Sequence, residues 1–152
     1  MLKPEISEDK THCHECGKDL KSGFYLFGGN QNLCEYTGHW YCNDDISDER
    51  MPIPWKAIEN FDLRGYSVSK VSSAELKVYY NKPLIEISKD NPAIKKSQRL
   101  YDFLVLKRQI HLIYDSICNL DLIEPLLKNK LNYCLQMNLF SMKNLYDVYN
   151  GQ

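Results

Sequence analysis

Four of the six cysteines and three of the four histidines fall between His12 and Asp45. The first group is Cys13-His14-Glu15-Cys16-Gly17-Lys18, which has the form of a zinc knuckle. Two thiols two residues apart reach one metal only around a tight turn, and Gly17 can supply the positive φ that aims backbone N–H groups at the sulfurs. A structural zinc ion wants four ligands. Cys42 is the next candidate, because it ends a hairpin expected to face the knuckle. The fourth position stays open between several residues. Asp45 makes Cys42-x-x-Asp45, a second knuckle with oxygen replacing sulfur, whereas Cys34 offers a thiolate from the neighbouring strand. His12, His14 or His39 could supply an imidazole instead. The bland alternative for Cys34 is a buried thiol packed as a small hydrophobe. One structural Zn2+ ion, held by Cys13, Cys16, Cys42 and either Asp45 or Cys34, is the expectation.

No catalytic constellation accompanies these residues. The sequence contains no Gly-rich phosphate loop, no nucleophile elbow and no His-Glu-x-x-His. A thioredoxin-like role for Cys13 and Cys16 would need a βαβ context that is missing. Cys118 and Cys134 have no partner in motif spacing and read as core cysteines, and His111 reads as a helix-face residue. The expectation is a non-enzyme.

The elements that must position the cluster follow from the pattern around it. Residues 1–11 are polar and read as a disordered lead-in. Residues 12–50 form the zinc-binding knuckle and hairpin, and residues 51–152 form a helical body. Within the first part, Leu20 to Phe27 reads as a strand and Gly28-Gly29-Asn30 as a turn. Leu33 to Tyr36 and His39 to Cys42 then pair around Thr37-Gly38, and even-numbered Cys34 and Cys42 could share a face. Pro52-Ile53-Pro54 opens a short helix through Trp55 to Phe61. A second helix starts near Ser69 or Ser72, with Ser72 and Glu75 as a capping box, and closes at Asn81-Lys82 before Pro83. Leu84 to Ile87 is a short connector that could be extended. Leu100, Phe103, Leu106, Ile110, Ile113 and Ile117 recur three or four apart, predicting one amphipathic helix from Pro92 to Cys118. Asp121 and Glu124 cap a further helix, and Ser141 caps a last one, Met142 to Tyr149, stopped by Asn150-Gly151. Helical Tyr79, Tyr80, Tyr101, Tyr114, Tyr133, Tyr146 and Tyr149 could serve either core or interface, with core the default for most of them. The fold class is mainly α, with a small N-terminal zinc-binding hairpin packed on a helical body.

Composition narrows the partners. The 152 residues are 43% hydrophobic and 26% charged, as in an ordinary globular chain. Nineteen basic against twenty acidic residues give a net charge of -1, so there is no electrostatic footprint for nucleic acid. The charged first ten residues are not a signal peptide, and no apolar run reaches a membrane span. A cytoplasmic setting is expected, where a Cys-x-x-Cys pair is more often a metal or redox site than a disulfide.

The segment from Cys13 to Lys70 resembles the Rubicon-homology domain, shared by Rubicon, Pacer and the pleckstrin-homology-domain-containing M-type adaptors. The likeness rests on Cys13-x-x-Cys16-Gly17, on Cys34-Glu35-Tyr36-Thr37-Gly38-His39-Trp40-Tyr41-Cys42, and above all on Ile53 to Lys70. Weaker echoes run on through Lys82-Pro83-Leu84, Leu100-Tyr101 and Phe140-Ser141-Met142. The resemblance implies a zinc-containing adaptor that binds the GTP form of a late-endosomal Rab GTPase, in endosome maturation and autophagy. It places such a protein peripherally on late endosomes, lysosomes and autophagosomes, recruited through its partner. Two departures stand out. The family pattern Cys-x-x-Cys-His after the hairpin is here Cys42-Asn43-Asp44-Asp45-Ile46, and the family's C-terminal cysteine-rich region is not reached by Gln152. The zinc part also resembles the treble-clef hairpin of phosphoinositide-reading FYVE domains. However, Asn30-Gln31-Asn32-Leu33 stands in place of their basic run, and Thr37 in place of a cysteine. A RING-type ligase would need eight ligands around two zinc ions, more than this segment supplies.

Overall fold

The computed structural model describes residues 3–21, 30–88, 90–117 and 138–151. The chain forms short hairpins and helices arranged in two compact units, Met1–Lys56 with Leu63–Tyr79, and Ala57–Asp62 with Tyr80–Gln152.

The first unit is built on a two-stranded hairpin. β1 (Asn32–Leu33) pairs antiparallel with β2 (Trp40–Tyr41), with Asn32 opposite Tyr41 and Leu33 opposite Trp40. Isolated bridges between His12 and Asp19, Ile46 and Ser69, and Met51 and Tyr66 tie the surrounding loops together. The segment expected as a disordered lead-in runs along this hairpin. Ser7 N donates to Gly38 O at 2.8 Å, and Trp40 Nε1 donates to Ser7 O at 3.0 Å. Lys10 sits 4.8 Å from the Trp40 ring centroid. Gly38 has φ +78°, and a Cβ there would collide with Glu5 O, so this turn needs glycine twice over.

The core of this unit gathers Leu20, Tyr41, Ile53, Trp55, Val68 and Leu76 around buried Cys13, Cys34 and Cys42. α1 (Pro54–Asn60) opens on its proline, as expected. Lys56 lies 3.6 Å from the Tyr66 ring centroid and pairs with Glu35 at 3.1 Å. α2 (Lys70–Tyr79) starts from Ser69, whose hydroxyl accepts Ser72 N at 3.1 Å. Ser69, rather than the Ser72–Glu75 pair, is therefore the residue that closes the first turn.

The second unit pairs β3 (Ile85–Glu86) with β4 (Leu139–Phe140), antiparallel, Ile85 opposite Phe140. The extended connector allowed for at Leu84 to Ile87 is thus realised as a strand at Ile85–Glu86. α3 (Pro92–Lys96) and α4 (Gln98–Ile117) replace the single long helix expected there. The interruption is Ser97, which is extended at φ -142° and ψ 110°. Its hydroxyl accepts Leu100 N at 3.3 Å, so a mid-pattern serine caps a new helix instead of continuing the old one. α5 (Met142–Asn150) carries the expected caps. Ser141 and Asn144 form a reciprocal capping box, and Gly151 closes the helix at φ 76°.

Ile85, Ile87, Ala93, Leu100, Phe140, Met142, Leu145 and Val148 are buried in this unit. α4 packs against α3 and α5. Lys107 of α4 donates to Leu139 O at 2.9 Å and lies 4.3 Å from the Phe140 ring, linking helix to strand. Tyr101, Tyr146 and Tyr149 are exposed, and in the first unit so is Tyr79, so the default core place does not hold for these four. Most of the strand expected at Leu20 to Phe27, the Gly28-Gly29 turn, the helix expected after Asp121, Cys118, Cys134 and Tyr133 lie outside the described residues.

Candidate metal centre

Cys13 enters the knuckle from a short bridge and the chain turns sharply behind it. Gly17 N donates to Cys13 O at 2.9 Å, and Cys13 N to Lys18 O at 2.8 Å. Gly17 takes φ +71°, the left-handed conformation the turn requires. Cys42 follows β2 directly and opens a second turn, in which Asp45 N and Ile46 N both donate to Cys42 O, at 3.2 and 3.1 Å. Spacing of i to i+3 around a turn points both members of each pair the same way. The hairpin then brings the two pairs together.

Ligand atoms of Cys13, Cys16, Cys42 and Asp45 all lie within 4.8 Å of one another. Cys16 and Cys42 sulfurs are 3.7 Å apart, and Asp45 Oδ2 lies 3.2 Å from the sulfurs of Cys13 and Cys42. A tetrahedral zinc shell, with Zn–S near 2.3 Å and Zn–O near 2.0 Å, places its sulfurs roughly 3.8 Å apart and sulfur from oxygen roughly 3.5 Å. The four donors fit a metal of that size. Cys13 and Cys42 are buried, Cys16 is exposed and Asp45 is intermediate. One side of the shell faces solvent.

Electrostatics in the cluster follow from who donates to whom. Thiol donors from Cys16, Cys13 and Cys42 hold the Asp45 carboxyl below its ordinary value. That carboxylate in turn pushes the Cys16 thiol up to about 12. Burial and the same carboxylate raise Cys42. Burial works against ionisation of Cys13 as well, but the backbone amides of Cys16, Cys42 and Glu15 outweigh it and lower its value. The Asp45 carboxylate accepts from the Cys13 and Cys42 thiols. A bound divalent ion replaces the thiol protons, and this coupling makes affinity pH-dependent.

The structure brings only one of the contenders for the fourth position next to the three thiols. Asp45 stands in the cluster and Cys34 stands outside it, fully buried, with its sulfur 3.6 Å from Ser72 Oγ. The hairpin register explains this. Because Asn32 faces Tyr41, even-numbered residues oppose odd-numbered ones, so Cys34 and Cys42 fall on opposite faces rather than one. The histidines are occupied elsewhere. His14 and His39 stack at 3.9 Å with planes 4° apart, and His12 Nδ1 meets Thr11 Oγ1 at 2.7 Å. Sequence reasoning missed the hydroxyl and amide partners of Cys34, at Thr37, Ser69 and Ser72. The available signal was that Cys34-x-x-Thr37-Gly38 repeats the form of Cys13-x-x-Cys16-Gly17.

These features define a mixed domain of small hairpins and helices that carries a metal-competent shell of three thiols and one carboxylate. The chain belongs to the Rubicon Homology Domain family, which it matches over residues 32–152. It is 29% identical over 157 aligned positions to pleckstrin homology domain-containing family M member 3 of Homo sapiens, covering 99% of this chain and 20% of that protein. The Xenopus laevis protein of the same name is 28% identical over the same shares. A Drosophila melanogaster relative, differentially expressed in FDCP 8 homolog, is 32% identical over 95 residues, covering 60% of this chain and 18% of its own. The chain thus spans about a fifth of the length of these relatives. Among the described residues, no helix is long and apolar enough to cross a membrane.

Proposed function

We propose that this chain is a non-enzymatic binding module of endosomal and lysosomal traffic and autophagy. In this reading Cys13, Cys16, Cys42 and Asp45 hold one structural Zn2+ ion. The module docks on the GTP form of a late-endosomal Rab GTPase, and so sits peripherally on late endosomes, lysosomes and autophagosomes. Family membership over residues 32–152 is the observation that carries the reading. The metal-competent shell supports a scaffold role for the ion, since four protein ligands leave no coordination position for a substrate. Exposed Tyr101, Leu112 and Ile113 on α4, and Tyr146 and Tyr149 on α5, supply the aromatic and aliphatic side chains from which helical interfaces draw their anchors.

The test is a pull-down of the zinc-loaded chain with the Rab locked in its GTP or GDP form. Retention of the GTP-locked form alone is expected. Equal retention of both, or of neither, overturns the Rab assignment and leaves a zinc-stabilised structural unit. Native mass spectrometry of the same preparation is expected to count one zinc ion per chain, and a count of zero overturns the metal assignment.

A further inference from the structure

The surroundings of Cys34 repeat, atom for atom in several respects, those of Cys13. Gly38 N donates to Cys34 O at 2.8 Å and Cys34 N to His39 O, five residues on, at 2.9 Å. In the first knuckle the same two bonds are Gly17 N to Cys13 O and Cys13 N to Lys18 O, also five residues on. Both turns end on a glycine with φ between +71° and +78°. The sulfurs are solvated alike. Cys13 accepts the amide of Cys16, three residues later, and that of Cys42, which opens the second pair. Cys34 accepts the amide of Thr37, three residues later, and that of Ser69.

Ser69 in turn opens a pair at the spacing of Cys42-x-x-Asp45, namely Ser69-x-x-Ser72. Ser69 Oγ donates to Ser72 Oγ at 2.9 Å, and Ser72 Oγ is the group 3.6 Å from the Cys34 sulfur. Cys34, Ser69 and Ser72 are all at most 3% exposed. Along the chain the pairs alternate: 13/16, 34/37, 42/45, 69/72. First joins third and second joins fourth.

We infer that Cys34, Thr37, Ser69 and Ser72 form a second shell of metal-centre design in which hydrogen bonds occupy the place of the ion. A single thiol with three hydroxyls is a poor zinc donor set, because the hydroxyls stay protonated at neutral pH. The shell instead satisfies itself. The Cys34 thiol donates to Ser72 Oγ, and the Thr37 hydroxyl with the Thr37 and Ser69 amides lowers its thiol value despite the burial that works against ionisation. The consequence is a divided unit: one knuckle depends on metal and its replica does not.

The experiment restores the missing thiols. Thr37→Cys, Ser69→Cys and Ser72→Cys are combined in one chain, refolded with zinc under a non-thiol reductant, and counted by native mass spectrometry. The triple variant is expected to hold one zinc ion more than the unsubstituted chain, and to lose that extra ion when Cys34→Ala is added. Because the increment is the readout, it stands apart from whether the Cys13 shell itself holds zinc. A folded triple variant with no increment overturns the inference. Amide exchange of the unsubstituted chain, with and without chelator, decides the matter if the triple variant fails to fold. Gly38, Ser72 and Ser73 are expected to stay protected, while Gly17, Asp45 and Ile46 exchange at least tenfold faster. Equal loss in both knuckles overturns it.

Discussion

Asp45 is the residue whose chemistry sets how firmly the shell could hold a metal. A carboxylate oxygen is a harder donor than thiolate, and here it lies on the partly exposed side of the cluster. Asp45→Ala is expected to weaken zinc binding at least tenfold in a chelator competition, and Asp45→Cys to strengthen it. Cys34→Ser is expected to leave affinity unchanged and to lower thermal stability, since it places a hydroxyl where a buried sulfur was packed. The His14–His39 stack supplies a pH prediction. Burial first, and the neighbouring His14 second, push His39 below its ordinary value of 6.5. Its folded value is then lower than its unfolded one. The contribution to stability is therefore complete above pH 6.5 and is lost as pH falls through the lower folded value. Melting curves from pH 8 to pH 5 should show that decline, and His39→Gln should remove the part due to the ring. His14, stacked on this ring, and Tyr41, edge-on to His14, are the titratable groups of the stack. At this scale the Cys13–Cys16 pair and Cys42 were legible from spacing, because i to i+3 around a turn fixes direction locally, whereas the choice of Asp45 as their neighbour was left open. The place of Cys34 was not legible. It depends on a register that only the folded hairpin sets.

At the scale of elements, caps decide where helices begin, and two of them show opposite degrees of legibility. Ser141 precedes an apolar helical pattern and Gly151 follows it, so the cap and stop of α5 could be read directly, while the reciprocal bond with Asn144 came with the structure. Removing the Ser141 hydroxyl breaks the bonds from Asn144 N at 3.1 Å and to Asn144 Oδ1 at 2.9 Å. Ser141→Ala should cost about 1 kcal/mol, the usual size of an N-cap loss, measurable by urea denaturation. Ser97 was illegible for a physical reason. The three-to-four spacing of apolar residues continues across it, so periodicity sees one helix. The side-chain bond to Leu100 N makes two. Ser69 behaves similarly, capping α2 three residues ahead of the serine that the acidic partner Glu75 had favoured. Periodicity reports which face is apolar, while the local competition of serine hydroxyls for backbone amides decides where that face is interrupted.

The whole molecule comprises a unit whose core contains two of the three metal-competent thiols, Cys13 and Cys42, and a unit whose described core is mostly hydrocarbon. Cys13, Cys34 and Cys42 belong to the apolar cluster of the first, alongside Ile53, Trp55 and Val68. The second buries Leu100, Phe140, Leu145 and Val148, and none of the four candidate ligands belongs to it. The helices of the second unit were visible from its long apolar periodicities. The share taken by loops and bridges in the first was not, because their pairings are isolated and each is only one residue long. A ligand that binds only the native state stabilises the unit that holds it. Adding a strong chelator should therefore lower the melting temperature of the first unit and leave the second where it was. Trp40 and Trp55, both in the first unit, report its transition by fluorescence. Circular dichroism at 222 nm reports α3 to α5, which contain most of the helical residues described. A fall in the tryptophan transition, with the helical one unmoved, is the expected result. Two transitions falling together by the same amount would mean that the units melt as one body and that the metal stabilises the hydrocarbon core as well.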